Sequence, residues 1–571
     1  MSRRQALGRR SVAMYSLVIL ASLMVTAWAD EPSESSDAAR AAYTSAAALQ
    51  NREAWDLAAE EWAALIASHP ADPLALKGRY YLAVCQIKNG DWPTAQQTFR
   101  DVIASKADAA TVALARWELA RGLFLAAQQK PSAAAYEDSA ASLRDFLEKS
   151  PGHPQTPEAV FFLGESLWQA GKRDAAIDAW QRFVRDHAAS PQMPEVLYAL
   201  GVGQAELKRP ADAAATFKRF AESFPSHALA EDVAIWRADA AITTNAAADA
   251  EGILVPLAAG KGPRAADALD RLGSVRWAQK NWTGAAEAYA RLADTRKEPA
   301  QAASAAASAG RAYARAGAIE KARPLLARAA TQPGAVGADA AHSLVLLELD
   351  AKQPARALEV ATQGIATLTA TKNADASRLA TLALDRADAL WELPGRKVEA
   401  AQAYADIINN YAHETDTVLA ARAMLALALL DQGKSAEALK AADEFLAMKA
   451  AANAGSRLLD VKAIRAEALL GVGKPAEAAA AYGDLVAANK EARQLPTWQL
   501  RQAAALAGAK QWKEVHAVLG PTAPSLTGEA VAEALLIDAT ALVELDKPAE
   551  ALKPLATLEK DHRGWSRREE A

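Results

Sequence analysis

Eight histidines and a single cysteine are the residues best suited to do chemistry in this 571-residue chain. His69, His153, His187 and His562 close apolar helical stretches, and His227 and His413 fall in the equivalent loops. A helical zinc site needs two histidines at i, i+4, and a structural one typically uses paired Cys-x-x-Cys; neither spacing occurs. A histidine at a helix C-terminus is instead satisfied by the last carbonyls and the helix dipole. Cys85 lies in the apolar run Tyr81-Leu82-Ala83-Val84-Cys85 and reads as a small buried hydrophobe; alone, it can form no intramolecular disulfide. Gly471-Val472-Gly473-Lys474 lacks the first phosphate-loop glycine, since position 468 is Ala468, and no strand precedes it. Asn281-Trp282-Thr283 matches a glycosylation acceptor but falls in a helix-helix turn. No nucleophile elbow, Ser/His/Asp set or dinucleotide fingerprint is visible. Carboxylates are plentiful on solvated helix faces, where they carry no chemical signal. The expectation is a protein that is not an enzyme, with no catalytic residue, no metal and no cofactor.

The elements that carry these residues repeat. Ala159 to Val184 reads AVFFLGESLWQAGKRDAAIDAWQRFV, with Leu163-Gly164, Leu167, Gly171, Ala176 and Trp180. The next unit aligns through Leu200-Gly201, Ala213, Phe217 and Pro225, and another through Leu272-Gly273, Ala285, Tyr289 and Leu292. The central small residue runs on as Ala58, Ala95, Ala176, Ala213, Ala285, Ala322, Ala357, Ala400, Ala438, Ala478 and Ala551. Turn glycines stand five residues upstream at Gly90, Gly171, Gly317, Gly433 and Gly473. Trp92, Trp282 and Trp512 share one turn position. A glycine after the leucine and an alanine on the second helix let two helices approach closely. The large residue four positions after that alanine lies on the same face and fills the gap.

This pattern resembles the tetratricopeptide-repeat (TPR) family. With weaker units near Ser142, Ala248 and Val515, the resemblance implies an all-α fold. It would be a right-handed α-solenoid superhelix of about 14 TPR-like helix pairs, spaced by roughly 37 residues against the family's 34. Longer spacings near 101–150 and 360–400 imply extended helices or inserted turns. The expected organisation is a signal peptide at 1–29, a flexible linker at 30–40 and a first TPR-like array at 41–252. A bend at 253–264 follows, then a second array at 265–562 and a polar tail at 563–571. Thr331–Asp339, also rich in Gly and Pro, is a second expected bend.

The leader carries an address. Arg3, Arg4, Arg9 and Arg10 precede an apolar run from Val12 to Ala27, and Ala27-Trp28-Ala29 has the small-x-small form of a signal-peptidase site. Cleavage after Ala29 leaves a chain starting at Asp30; the alternative is an uncleaved anchor of about 16–18 apolar residues. Ser2-Arg3-Arg4-Gln5-Ala6-Leu7 resembles a twin-arginine signal but has Ala6 where Phe is usual, so either export route stays open. Removing the four leader arginines takes the formal net charge from −5 to −9. An acidic chain with interspersed signs does not suit a phosphate backbone, so nucleic acid is not an expected partner. No later run is apolar enough to span a membrane. The localisation expected is periplasmic or secreted, in a bacterial envelope.

In the family, ligands touch mainly the first helix of each pair. Carried over, those positions give Tyr80, Phe161 and Tyr198 at one level, Trp168 and Trp277 about two turns along, and Glu165, Asp267 and Asp270 nearby. Such an aromatic stripe with acidic neighbours suits an extended or helical peptide. The segments Phe146 to Ala159 and Arg219 to His227 resemble exported bacterial repeats, such as the Tol-Pal-associated periplasmic TPR proteins and the outer-membrane assembly TPR lipoproteins. The resemblance implies a non-catalytic envelope scaffold that binds a protein or peptide partner in its groove. An accessory subunit presenting substrate to envelope polysaccharide or peptidoglycan enzymes is the alternative, and homo-oligomerisation stays open.

Overall fold

A computed structural model describes residues 35–522, 525–562 and 564–566. The leader lies outside them. The described residues form 28 α-helices and one 3₁₀ turn, Lys449–Asn453, with no strand. By internal packing the chain divides into two units at Arg264 and Ala265.

The first unit holds six helix pairs. These are α1 (Asp37–Asn51) with α2 (Trp55–Ser68), α3 (Pro73–Lys88) with α4 (Trp92–Ala104), and α5 (Ala109–Gln129) with α6 (Ala133–Lys149). Then come α7 (Thr156–Gln169) with α8 (Arg173–Asp186), α9 (Met193–Glu206) with α10 (Pro210–Ser223), and α11 (Ala230–Thr243) with α12 (Ala247–Ala259). The second unit holds eight. They run α13 (Ala265–Ala278) with α14 (Trp282–Thr295), α15 (Pro299–Arg315) with α16 (Ile319–Ala330), α17 (Ala335–Asp350) with α18 (Pro354–Thr369), and α19 (Ala376–Glu392) with α20 (Lys397–Asn410). The last four are α21 (Thr415–Asp431) with α22 (Ser435–Leu446), α23 (Ser456–Gly471) with α24 (Pro475–Ala488), α25 (Leu495–Gly508) with α26 (Trp512–Thr522), and α27 (Glu529–Glu544) with α28 (Pro548–Asp561).

Within each unit every helix packs on the next, and first helices of adjacent pairs also meet. They do so along α1–α3–α5–α7 in the first unit and along α15–α17–α19–α21–α23–α25–α27 in the second. That is the arrangement of an α-solenoid, in which neighbouring pairs bury what a single pair cannot. The weak units near Ser142, Ala248 and Val515 are helix pairs like the others, and the long spacings are absorbed by long helices, α5 above all.

Two local devices build each pair. The first is the turn. In the repeats whose turn glycine the sequence shows, that glycine is left-handed, with φ of 72–81° at Gly90, Gly171, Gly317, Gly433 and Gly473. The next amide closes a six-to-one bond: Asp91 N to Gln86 O (2.9 Å), Lys172 N to Leu167 O (2.9 Å), Lys434 N to Leu429 O (2.9 Å). These are Schellman ends. Lys208, Asn245, Lys280, Lys352, Lys510 and Asp546 take the same positive φ at the same position without being glycine. The second device is the close contact. All eleven central alanines are at most 3% exposed, and Trp62, Phe99, Trp180 and Tyr404, four residues after theirs, are 0% exposed.

Some boundaries differ from expectation. Residues 253–259 are the second half of α12 with Pro256 inside it, because Leu254 and Ala258 are buried on one helical face and hold the segment against its neighbour. Helix α17 starts at Ala335, capped by Gly334 at φ 81°, which confines the second expected bend to the turn before it. Helix α1 starts at Asp37, inside the stretch expected as linker, with the Ser36 side chain accepting from Ala39 N. In the tail, Trp565 packs against Ala532, Leu536 and Leu558.

Candidate functional site

The eight candidate residues all lie on first helices, but they differ in what they present. Tyr80 is 2% exposed, wedged against Tyr81 and Phe99. Its burial beside the Glu118 carboxylate pushes its phenol well above the ordinary range. Phe161 is 8% exposed and tilted against Phe162; Trp168 is 7% exposed, 5.8 Å from Trp180 and covered by the Arg173 guanidinium. These three rings are packing between helices, and the expectation that they face a ligand is corrected. In an alanine-rich array large rings fill the spaces the alanines leave, so an aromatic on a first helix goes inward more readily than the family positions imply.

The other five reach the surface. In the first unit, Glu165 and Tyr198 are half-buried. In the second, Asp267 and Trp277 are half-buried and Asp270 is exposed. Asp267, Asp270, Ser274 and Trp277 follow a three-and-four spacing and form one stripe along α13. Arg296 Nη2 ion-pairs with Asp267 Oδ1 at 3.5 Å, and Trp277 meets Trp282 edge-on at 5.0 Å. The stripe is therefore positioned on either side of Asp270, by Trp282 at the start of α14 and by Arg296, its C-cap.

The wall of first helices in the second unit is cross-linked by charge. Arg378 Nε reaches Asp339 Oδ1 at 2.7 Å, Arg501 Nη2 reaches Glu467 Oε1 at 2.9 Å, and Arg501 Nη1 lies 3.8 Å from Glu533. His342 Nδ1 lies 2.8 Å from Asp385 Oδ2. Asp385 is 4% exposed, and its hydrogen bond lifts the pKa of the imidazole. One turn along α19, Asp388 accepts from the Tyr404 hydroxyl at 2.7 Å, and burial raises its carboxyl to about 6. From the second helix α26, His516 Nδ1 reaches Asp538 Oδ1 on α27 at 2.7 Å.

Sequence spacing could not show these His–Asp pairs, whose partners stand 43 and 22 residues apart. Neither is a catalytic triad among the described residues, because no hydroxyl or thiol bonds to either imidazole. Of the histidines read as helix ends, His69, His187 and His562 are C-caps. His153 differs: its Nδ1 accepts from Gln155 N at 3.4 Å, as His227 does from Leu229 N at 3.2 Å, so both shape the loop leading into the next first helix. Among the described residues, no group of His, Cys, Asp and Glu is placed to hold a metal, and no helix is long and apolar enough to cross a membrane.

Helix pairs in series, with polar and half-buried aromatic side chains on their first helices, define a repeat array. The model of the tetratricopeptide-repeat family matches residues 43–110, 132–191 and 163–228. No curated protein matches the sequence. Among solved structures, it is similar to a tetratricopeptide repeat protein from Parabacteroides merdae ATCC 43184, at 15% identity, 47% of this chain, 98% of that one and a TM-score of 0.30. It is also similar to Naa15/Naa10 bound to HypK-THB, at 16% identity, 85% of this chain, 75% of that one and a TM-score of 0.34. A third is the TPR domain of P58(IPK), at 15% identity, 70% of this chain, 98% of that one and a TM-score of 0.24.

Proposed function

We propose that this chain is a non-catalytic, exported scaffold that docks a protein or peptide partner on the first-helix wall of its repeats, within a bacterial cell envelope. The observation that carries the docking surface is the stripe Asp267, Asp270, Ser274 and Trp277 on α13. It is held in place by α14, yet Asp270 stands exposed at its centre. Tyr198 and Glu165 offer the same kind of position in the first unit. Rings fixed by neighbours lose little entropy on binding, which makes them efficient contacts. The export step rests on the basic, apolar and small-residue order of residues 1–29.

The test is capture. Full-length tagged protein is crosslinked in cells beside a Tyr198→Ala/Trp277→Ala double variant of equal thermal stability. One envelope complex, captured by the parent and lost in the variant, is the expected result. Capture unchanged by the variant would place binding on another surface. A chain retained in the cytoplasm would overturn the exported part alone.

A further inference from the structure

Three successive first helices of the first unit carry an acid at the same place. Glu158 on α7, Glu195 on α9 and Asp232 on α11 each stand six residues before a buried small residue, Gly164, Gly201 or Ala238. In two of the three, the loop 32 residues on returns a base to that acid. His227 Nε2 lies 3.5 Å from Glu195 Oε1, and the Arg264 guanidinium bonds Asp232. At the same step from Glu158 the chain has Ser190. Its backbone repeats that of His227. Ser190 N donates to His187 O at 3.0 Å and Met193 N to Ser190 O at 3.1 Å. His227 N donates to Phe224 O at 3.2 Å and Ala230 N to His227 O at 2.9 Å. Serine therefore occupies the histidine's site with a side chain too short to span to the acid, and its hydroxyl bonds the Gln192 side chain instead. Serine and acid both line a cleft of about 600 Å³, with Pro154 and Pro157 beside Glu158 and with Asp186 and Pro191 beside Ser190.

The charges around this cleft leave one acid unanswered. Among the described residues Glu158 enters no hydrogen bond or ion pair. From α5, Arg121 acts on its carboxyl but is bonded to Glu118 at 3.0 Å, and Glu118 acts in the opposite direction. From the loop before α7, His153 takes the Gln155 amide, so that N–H does not cap Glu158. From the loop before α9, Asp186 is already held by Arg185 at 2.8 Å and Arg182 at 3.5 Å, both largely exposed, and His187 stands edge-on to Phe183. Burial is the largest influence on Glu158 and raises its carboxyl. A half-buried acid without a bonded cation carries a desolvation cost that a cation supplied from outside offsets.

We propose that this cleft takes an arginine or lysine side chain of a partner segment, which makes at Glu158 the contact that His227 and Arg264 make in the next two repeats. Pro154, Pro157 and Pro191 give apolar surface to the methylene stem, and the volume falls within the range of about 300–1,000 Å³ usual for ligand sites. The proposal rests on the reading of the chain as a docking scaffold and names the chemistry of one contact in its first unit.

The experiment measures binding to the full-length protein by saturation-transfer NMR. The probes are acetyl-Gly-Arg-Gly-amide, its lysine and glutamine counterparts, and spermidine as a free amine. The two basic peptides are expected to bind about tenfold more tightly than the glutamine peptide, the size of a charge-assisted hydrogen bond. Glu158→Gln and Ser190→His are each expected to abolish that preference, the first by removing the charge and the second by rebuilding the contact of His227 with Glu195. Unchanged helical circular dichroism shows that a variant folds, and either variant alone carries the test. Equal affinity for the three peptides, no binding of either basic peptide, a preference that survives in the folded variants, or binding of spermidine alone each overturns the proposal. A partner captured in cells while no basic peptide binds sinks this site alone; basic peptides that bind while no partner is captured sink the docking reading alone.

Discussion

Gly164 sits directly against the Trp180 indole: a Cβ built on the glycine would lie 2.2 Å from Trp180 Nε1, far inside contact distance. The same relationship joins Gly201 to Phe217 at 2.5 Å, Gly273 to Tyr289 at 2.6 Å and Gly310 to Leu326 at 2.6 Å. The glycine after the leucine and the large residue after the central alanine are thus one contact, repeated along the array. Gly164→Ala should cost about 1–3 kcal/mol through overpacking. Hydrogen exchange should show the loss concentrated in α7 and α8. Gly252→Ala, where the space is open and the glycine is inside α12, should instead gain about 0.5–1 kcal/mol.

The turns allow a second prediction, of opposite sign. Lys280 and Lys510 hold φ of 60° where other repeats place glycine. A left-handed non-glycine costs about 1–2 kcal/mol. Lys280→Gly and Lys510→Gly should each stabilise their repeats by up to about 1 kcal/mol, the gain being reduced by glycine's unfolded-state entropy. Gly171→Ala, at φ 81°, should destabilise. Thermal melts of the single variants check both directions.

Asp388 sets a pH dependence. Burial is the main reason its carboxyl stands at about 6 rather than 3.8; Asp385 and Glu392 add to the rise, while Tyr404 and Arg457 oppose it. Because the folded value is the higher one, the fold favours the protonated acid. This group therefore lowers stability above pH 6, and stability returns as pH falls from 6 toward 4. Asp388→Asn should raise the stability of the second unit at pH 7 by on the order of 1–3 kcal/mol and flatten its pH profile between 4 and 7. A variant with an unchanged profile would remove Asp388 as the source.

Glu348 is 2% exposed and receives two hydrogen bonds from Arg323, from Nε at 2.6 Å and Nη2 at 3.2 Å. Removing one partner of such a pair strands a buried charge. Arg323→Ala should cost about 3–5 kcal/mol, and the double Arg323→Leu/Glu348→Leu variant far less. Chemical denaturation of the three proteins measures the difference.

Much of this fold was legible because its devices are local. Gly171, Ala176 and Trp180 stand within ten residues, and each reports a turn or a close approach through its own type. The burial of Trp168 and the pairing of His342 with Asp385 were not legible. The first depends on how much space neighbouring alanines leave, the second on which first helix lies beside α17, and neither quantity has a sequence period. The stripe on α13 lies between these cases. Spacing placed Asp267, Asp270 and Trp277 on one face, but only packing distinguished Asp270 from Tyr80 and Phe161, and Trp277 from Trp168, which occupy the equivalent positions in their own repeats and are buried.

The central claim is that partners dock on the first-helix wall. A photo-crosslinking residue placed in turn at Tyr198, Asp270 and Ser304, and at Gln181 and Leu552 on exposed second-helix faces, tests it in cells with the full-length protein. The account predicts that one partner protein is captured from the first three positions and from neither of the last two. Capture from Gln181 or Leu552, with none from the first-helix positions, would contradict it.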